Sequence, residues 1–354
     1  MNTARKKIAL FVGSDVTAQI VLNRLIDDMV DKYEPIIFLP TYPNSPKAQL
    51  PELKRFSFYD RHLLNDTVYP YIETRRIYAP NRSPSIIAHD HGIRVETVAN
   101  VNDPEFIEEL RNEPNLAGAI SIRSFQIFKQ PLIDILHDKG FFLNLHPGIL
   151  PQYRGVMSTF RMMAAGETSY GWTLHKVAEE IDAGEILWMK ARPLDPSKSG
   201  YALNINMAAI GAQSVMQALK EVELGNVLIG SSQKARQSRY YTYPTESELK
   251  SWQKKGIHLI DPDEVINTLV ERFSQPGTSH AYELTEQLNI AVRDWEVANN
   301  AAPIPETEDS KLRNHFLSSH KGIVKPLQAR AAGLTERIAS SFKDEGSAPA
   351  ASVR

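Results

Sequence analysis

Two apolar runs close to the amino terminus, Ile8 to Val12 and Pro35 to Leu39, flank a segment with Ile20, Val21, Arg24 and Leu25 at helical spacing. Neither run alternates with polar residues, the pattern of strands covered on both faces. Strand, helix and strand at this spacing predict a right-handed crossover between parallel neighbours. No other feature constrains the fold as strongly, because a crossover of this kind demands an open sheet with helices packed on it. The theme continues through a helix ending at His91, the apolar run Leu116 to Ile122, a helical stretch from Pro131 to Lys139, and Phe141 to Leu143. The expected class is α/β: a Rossmann-like open, mostly parallel sheet with helices on both faces, plus a mainly helical C-terminal extension.

Sheets of this kind place their ligands beyond the carboxyl ends of the strands. Asn144 and His146 follow the apolar Phe141 to Leu143 two residues apart, so an extended chain points both side chains the same way. Pro147 and Gly148 then break the strand. Trp172 to Val177 reads as a further strand, and Asp182 lies in the loop after it, followed by Ala183 and Gly184. Taken singly, a strand-end Asn or His is a local hydrogen-bonding residue, and Asp-x-Gly is a turn. His175 alternates with Leu174 and reads as a structural strand histidine.

Composition narrows the chemistry. The absence of cysteine excludes disulfides, thiolate metal sites and a cysteine nucleophile. A net charge of −2 provides no electrostatic footprint for nucleic acid or an anionic membrane. No apolar run reaches the length of a membrane span or a signal peptide, so the expected location is the cytoplasm. Gly13, Ser14 and Asp15 form the turn into the first helix but lack the G-x-G-x-x-G pattern of dinucleotide sites. His89 and His91 are two apart on a helix and do not share a face, so no metal is expected there. Residues 41–82 have no clear period, although Leu53 to Tyr69 has helical character. They read as an insertion that either shapes a substrate pocket or covers the surface.

Together, Asn144/His146, Leu150 to Gly155 (Leu-Pro-Gln-Tyr-Arg-Gly), Thr173/His175 and Asp182/Gly184/Ile186 resemble the motif series of the folate-dependent formyltransferases, over roughly residues 7 to 225. The resemblance implies transfer of a formyl group from N10-formyltetrahydrofolate, as co-substrate, to a primary amine through a tetrahedral intermediate. It implies Asn144, His146 and Asp182 as the catalytic residues. Asn144 and His146 carry N–H groups suited to an oxyanion, and Asp182 suits the holding of imidazole charge and the relay of protons. By the same resemblance Phe125, Gln126, Ile127 and Phe128 line the pterin pocket, as do Ala178, Glu179, Glu180 and Ile181, largely through backbone groups. Arg154 and Gly155 shape the turn beside the acceptor. Some members bind a substrate phosphate on a glycine-rich turn after the first strand; only Gly13 and Ser14 of it remain here.

The acceptor is expected to be a small-molecule amine: an amino sugar, an amino acid or a natural-product amine. Val156 and the following Ser158-Thr-Phe160 stand where methionyl-tRNA formyltransferases carry Pro and Trp. Those enzymes also append a basic β-barrel, whereas Asp261 to Phe273 and Tyr282 to Trp295 read as amphipathic helices. No nucleic-acid or membrane partner is expected, and a homodimer is left open. A formyltetrahydrofolate hydrolase and a methionyl-tRNA formyltransferase are the alternatives. Related hydrolases carry an amino-terminal regulatory domain, and the first strand here starts near residue 7. The expected division is a catalytic domain over 1–205, a mainly helical accessory region over 206–305, and a polar, mobile tail over 306–354.

Overall fold

The computed structural model describes residues 5–43 and 46–301, so the expected tail at 306–354 lies outside the described residues. The amino-terminal half follows the expected alternation: β1 (Lys7–Val12), α1 (Val16–Val30) and β2 (Glu34–Pro40). α2 (Pro51–Ser57), a π-helical segment (Phe58–Val68) and α3 (Tyr69–Arg75) come next. They lead through α4 (Pro84–His91), β3 (Arg94–Val98) and α5 (Pro104–Asn112) to β4 (Leu116–Ile122) and α6 (Gln130–Asp138). β5 (Phe142–His146), the short β6 (Arg154–Gly155), α7 (Ser158–Ala165), β7 (Ser169–Lys176) and β8 (Ile186–Pro193) complete the strands of the site. α8 (Gly200–Glu223), β9 (Tyr240–Tyr241), α9 (Glu246–Lys254), α10 (Pro262–Phe273) and α11 (Ser279–Ala298) finish the described chain.

Seven strands form one sheet in the order β3-β2-β1-β4-β5-β7-β8. Its pairs are parallel up to β5, and β5/β7 and β7/β8 are antiparallel. The alternation of β1 divides the core in two. Ile8, Leu10 and Val12 face α1, α8 and the π-helical segment, while Ala9 and Phe11 face α5 and α6. Helices therefore cover both faces, which is why the strands read as continuous apolar runs.

Caps set the helix starts. The Asp15 carboxylate accepts from the Ala18 N–H at the head of α1, and Asp261 accepts from Asp263 and Glu264 at α10. Each such cap is worth about 1 kcal/mol. Residues 41–82 do two jobs. Tyr59, Leu63, Leu64 and Ile72 are buried in the main core, and Tyr42, Phe56 and Asp60 line the large cavity. The helix α8 runs across the expected boundary at 205/206. Its Met207, Ala212, Val215 and Leu219 belong to the same core as β1 and α1. Among the described residues no helix is long and apolar enough to cross a membrane.

Candidate active site

β5 carries Asn144 and His146 on one face, and antiparallel β7 sets His175 opposite Asn144 and Thr173 opposite His146. Thr173 then pins the turn that follows: its Oγ1 donates to the Gly148 carbonyl at 2.7 Å and accepts from the Leu150 N–H at 3.3 Å. Gly148 is required by this close approach. A Cβ there would lie 2.6 Å from His146 Nε2 and 2.7 Å from the Tyr153 carbonyl.

The loop after β7 delivers Asp182, whose φ of 54° lies in the left-handed region that aspartate tolerates better than most residues. Gln233 Nε2 holds the loop by donating to the carbonyls of Asp182 and Gly184, each at 2.8 Å. Buried Arg154 holds its other side, with Nε donating to the Ile181 carbonyl at 2.8 Å and Nη1 2.8 Å from Glu180.

Asp182 is the hub. Its Oδ2 accepts from the Gly155 N–H at 2.8 Å and lies 3.4 Å from His146 Nδ1. Its Oδ1 lies 3.3 Å from Asn144 Nδ2 and 3.5 Å from His175 Nε2. The other nitrogen of each imidazole is engaged with backbone. His146 Nε2 donates to the Tyr153 carbonyl at 2.7 Å, and His175 Nδ1 donates to the Lys176 carbonyl at 2.8 Å. His175 therefore joins the group from which the sequence pattern set it apart.

Burial works to raise the Asp182 carboxyl, but the two imidazoles and the Gly155 N–H outweigh it and hold the acid well below the ordinary range. Burial pushes His146 down, against the pull of Asp182 and with help from His175.

These residues open into a cavity of about 1110 Å³. Phe125, Gln126, Ile127 and Phe128 line it, as do Ala178, Glu179 and Ile181. Glu180 is the exception among the expected pocket residues, since its carboxylate is three-quarters exposed and turned to Arg154. The Gln126 side chain serves the loop itself, donating to the Thr41 and Ala99 carbonyls at 2.9 and 3.0 Å. Phe128 packs edge-on to Phe11 and Phe142, whereas Phe125 meets Tyr42 at 4.5 Å.

The cavity lining also includes a buried charge group that the sequence did not announce. Arg123 Nε donates to Asp15 Oδ1 at 2.7 Å, and its Nη2 lies 3.6 Å from Asp60 Oδ2. Burial, and then the charge of Asp15, push Asp60 up to about 7 against the opposing pull of Arg123 and Arg61. Elsewhere, His89 is almost wholly exposed and His91 sits 3.2 Å from Asp27. Among the described residues no group of three or more His, Asp or Glu is placed to hold a metal ion.

Residues 99–219 match the formyl transferase family. A methionyl-tRNA formyltransferase of Geobacter metallireducens is 25% identical over 219 residues, 62% of this chain and 60% of the relative. One of Chlamydia pneumoniae is 30% identical over 149 residues, 42% of this chain and 46% of its own. The chain thus spans less than two thirds of the length of these relatives. Among solved structures, the sugar 3N-formyl transferase WlaRD is similar at 18% identity, covering 67% of this chain and 69% of its own, with a TM-score of 0.45. The phosphoribosylglycinamide formyltransferase of Anaplasma phagocytophilum is 16% identical over 68% of this chain and all of its own, with a TM-score of 0.46. The stretch carrying Asn144, His146, His175 and Asp182 lies within the residues that match the formyl transferase family, and the chain resembles the folate-dependent formyltransferases there.

Proposed function

We propose that the protein transfers a formyl group from N10-formyltetrahydrofolate to a primary amine of a small metabolite. The observation that carries this reading is the convergence of Asn144, His146 and an ionised Asp182 on one wall of a cavity. Phe125 to Phe128 and Ala178 to Ile181 flank that wall. The size suits two substrates, since a pocket for one drug-sized ligand occupies roughly 300–1,000 Å³. The aromatic Phe125 and the backbone of the 178–181 loop, clamped by Arg154, fit a flat heteroaromatic ring with hydrogen-bonding edges.

The donor supplies an activated formyl carbon. The amine nitrogen forms a bond to that carbon, the carbonyl electron pair moves onto oxygen, and the amine sheds a proton. Collapse restores the carbonyl and breaks the bond to the folate nitrogen, which takes up a proton. Asn144 Nδ2 donates to the oxyanion, and His146, whose Nε2–H is held by the Tyr153 carbonyl, does so through Nδ1 once that nitrogen takes up the proton; Asp182 stabilises the imidazolium and passes the proton. The contacts from Asp182 to Asn144 and to His146, 3.3 and 3.4 Å long, leave room for this. Catalytic hydrogen bonds of this length tighten when substrate arrives.

Loss of one oxyanion donor costs about 10²–10³ in kcat. His146→Ala and Asp182→Asn are therefore expected to lower turnover at least that far while binding of a reduced folate, followed by calorimetry, stays near that of the parent. Near-normal turnover in either variant would rule out the assignment.

A second reading, formylation of methionyl-tRNA, is favoured by the activity named for the curated relatives. Against it, residues 246–298 fold mainly as α9, α10 and α11, and the chain has a net charge of −2. Phosphate-backbone binding draws on clustered Lys and Arg.

A further inference from the structure

Beyond the formyl-transfer group, the turns after β1 and β4 and the π-helical segment bring to the cavity buried polar atoms that have no hydrogen-bond partner among the described residues. Asp15 is 2% exposed, and its Oδ1 is used twice, by Arg123 and by the Ala18 N–H. Its Oδ2 is buried with no hydrogen-bond partner among the described residues. Arg61 lies with its guanidinium 3.5 Å over the Tyr42 ring, and one nitrogen, Nη2, donates to Ser57 Oγ at 2.6 Å. Its Nη1 is likewise buried and without a partner, as are the hydroxyls of Ser121 and Ser124. All four residues line the same cavity. A buried polar group left unpaired costs about 1–3 kcal/mol, and more when charged. Four of them around one cavity mark the seat of a polar ligand.

The signs of the free atoms select the ligand. A phosphate would meet the carboxylate of Asp15, which already occupies the amino terminus of α1. A lone ammonium would satisfy Asp15 and leave the Arg61 nitrogen bare. A group carrying both charges satisfies both, and the two hydroxyls can donate or accept as needed.

Resting on the formyl-transfer reading above, we propose that this part of the cavity binds the α-ammonium and α-carboxylate of a diamino acid, Asp15 taking the ammonium and Arg61 the carboxylate. The side-chain amine of the same molecule is then the group presented to Asn144, His146 and Asp182. The reach is right. β1 and β5 are separated only by β4, so the two groups stand roughly 10 Å apart at ordinary strand spacing. An extended lysine side chain spans about 6 Å at ordinary bond lengths, and a hydrogen bond adds about 3 Å.

The test is isothermal titration of the full chain, without folate, with L-lysine and L-ornithine. Cadaverine, which lacks the head group, and glucosamine 6-phosphate serve as comparators. Saturable binding of one amino acid, about tenfold or more tighter than cadaverine, is expected. Asp15→Asn and Arg61→Gln should each weaken it about tenfold, the worth of one charge-assisted hydrogen bond, and Arg61→Lys should restore part of it. Asp15→Asn keeps the cap of α1, and Arg61→Gln gives a second reading should the first variant fail to fold. Equal affinity for cadaverine, tighter binding of the phosphate ester, no binding of either amino acid at millimolar concentration, or unchanged affinity in the folded variants would overturn the proposal. Because no folate is present, these outcomes are independent of whether formyl transfer occurs. Transfer to other amines without amino-acid binding would sink this inference alone.

Discussion

Asp60 and Asp182 are buried carboxyls in one cavity, and their surroundings push them in opposite directions. Asp182 receives N–H groups and imidazoles and stays ionised, so its contribution to stability is present above the ordinary carboxyl range and is lost as the pH falls. Asp60, raised to about 7 mainly by burial, behaves in reverse. Between the unfolded value near 3.9 and the folded value, only the folded state keeps the proton, so stability declines as the pH climbs through that window. Asp60→Asn removes the titration. Its stability relative to the parent should rise between pH 5 and pH 8 by about 2 kcal/mol, read by denaturant unfolding at each pH. A pH-independent difference would show that Asp60 ionises normally. Legibility at this scale follows sequence distance. That Asn144 and His146 point the same way could be read because strand spacing is local, whereas Asp182 was joined to them only through the family motif series. His175 could not, because alternation with Leu174 gives no sign of which residue of another strand it will face. Arg123 and Asp15 meet across 108 positions of sequence, and no local pattern encodes that pairing.

At the level of elements, the 178–181 loop is held from outside by Arg154. The guanidinium is buried, takes the Ile181 carbonyl and reaches Ser238 Oγ at 2.9 Å, tying the loop to the segment before β9. Arg154→Met keeps much of the packing and removes these bonds. We expect the affinity for a reduced folate to fall about tenfold, roughly 1.4 kcal/mol, with a smaller change in kcat, measured by calorimetry and steady-state kinetics. An unchanged affinity would show that the loop does not bear the pterin. The alternation of apolar runs made the parallel half of the sheet readable, including the turn at Gly13 to Asp15, though not the cap that Asp15 provides. The antiparallel placement of β7 was not readable, because period and burial carry no strand direction. The helical character of Leu53 to Tyr69 was visible, but its winding as a π-helical segment was not. That winding accompanies a tertiary bond, from Asn65 Nδ2 to the Ser14 carbonyl at 2.8 Å, which docks the segment on the turn after β1.

For the molecule as a whole, the carboxyl-terminal elements take part in the cavity. Tyr240, Tyr243 and Trp295 line it, the Tyr243 hydroxyl meets that of Tyr42 at 2.8 Å, and Trp295 stacks on Phe58 at 4.8 Å. The cavity thus draws on described residues of the 41–82 stretch and on elements that follow α8, and we propose that the catalytic unit extends through α8 instead of stopping at residue 205. We take the aromatic side chains at this edge of the cavity to favour a small amine over the end of a nucleic acid. The measurement that tests this account most directly is release of tetrahydrofolate from N10-formyltetrahydrofolate. It would compare water alone, a panel of small primary amines including L-lysine and amino sugars, and methionyl-tRNA. The account predicts release that requires a small amine and is accompanied by its formamide. Release with water alone, or only with methionyl-tRNA, would contradict it.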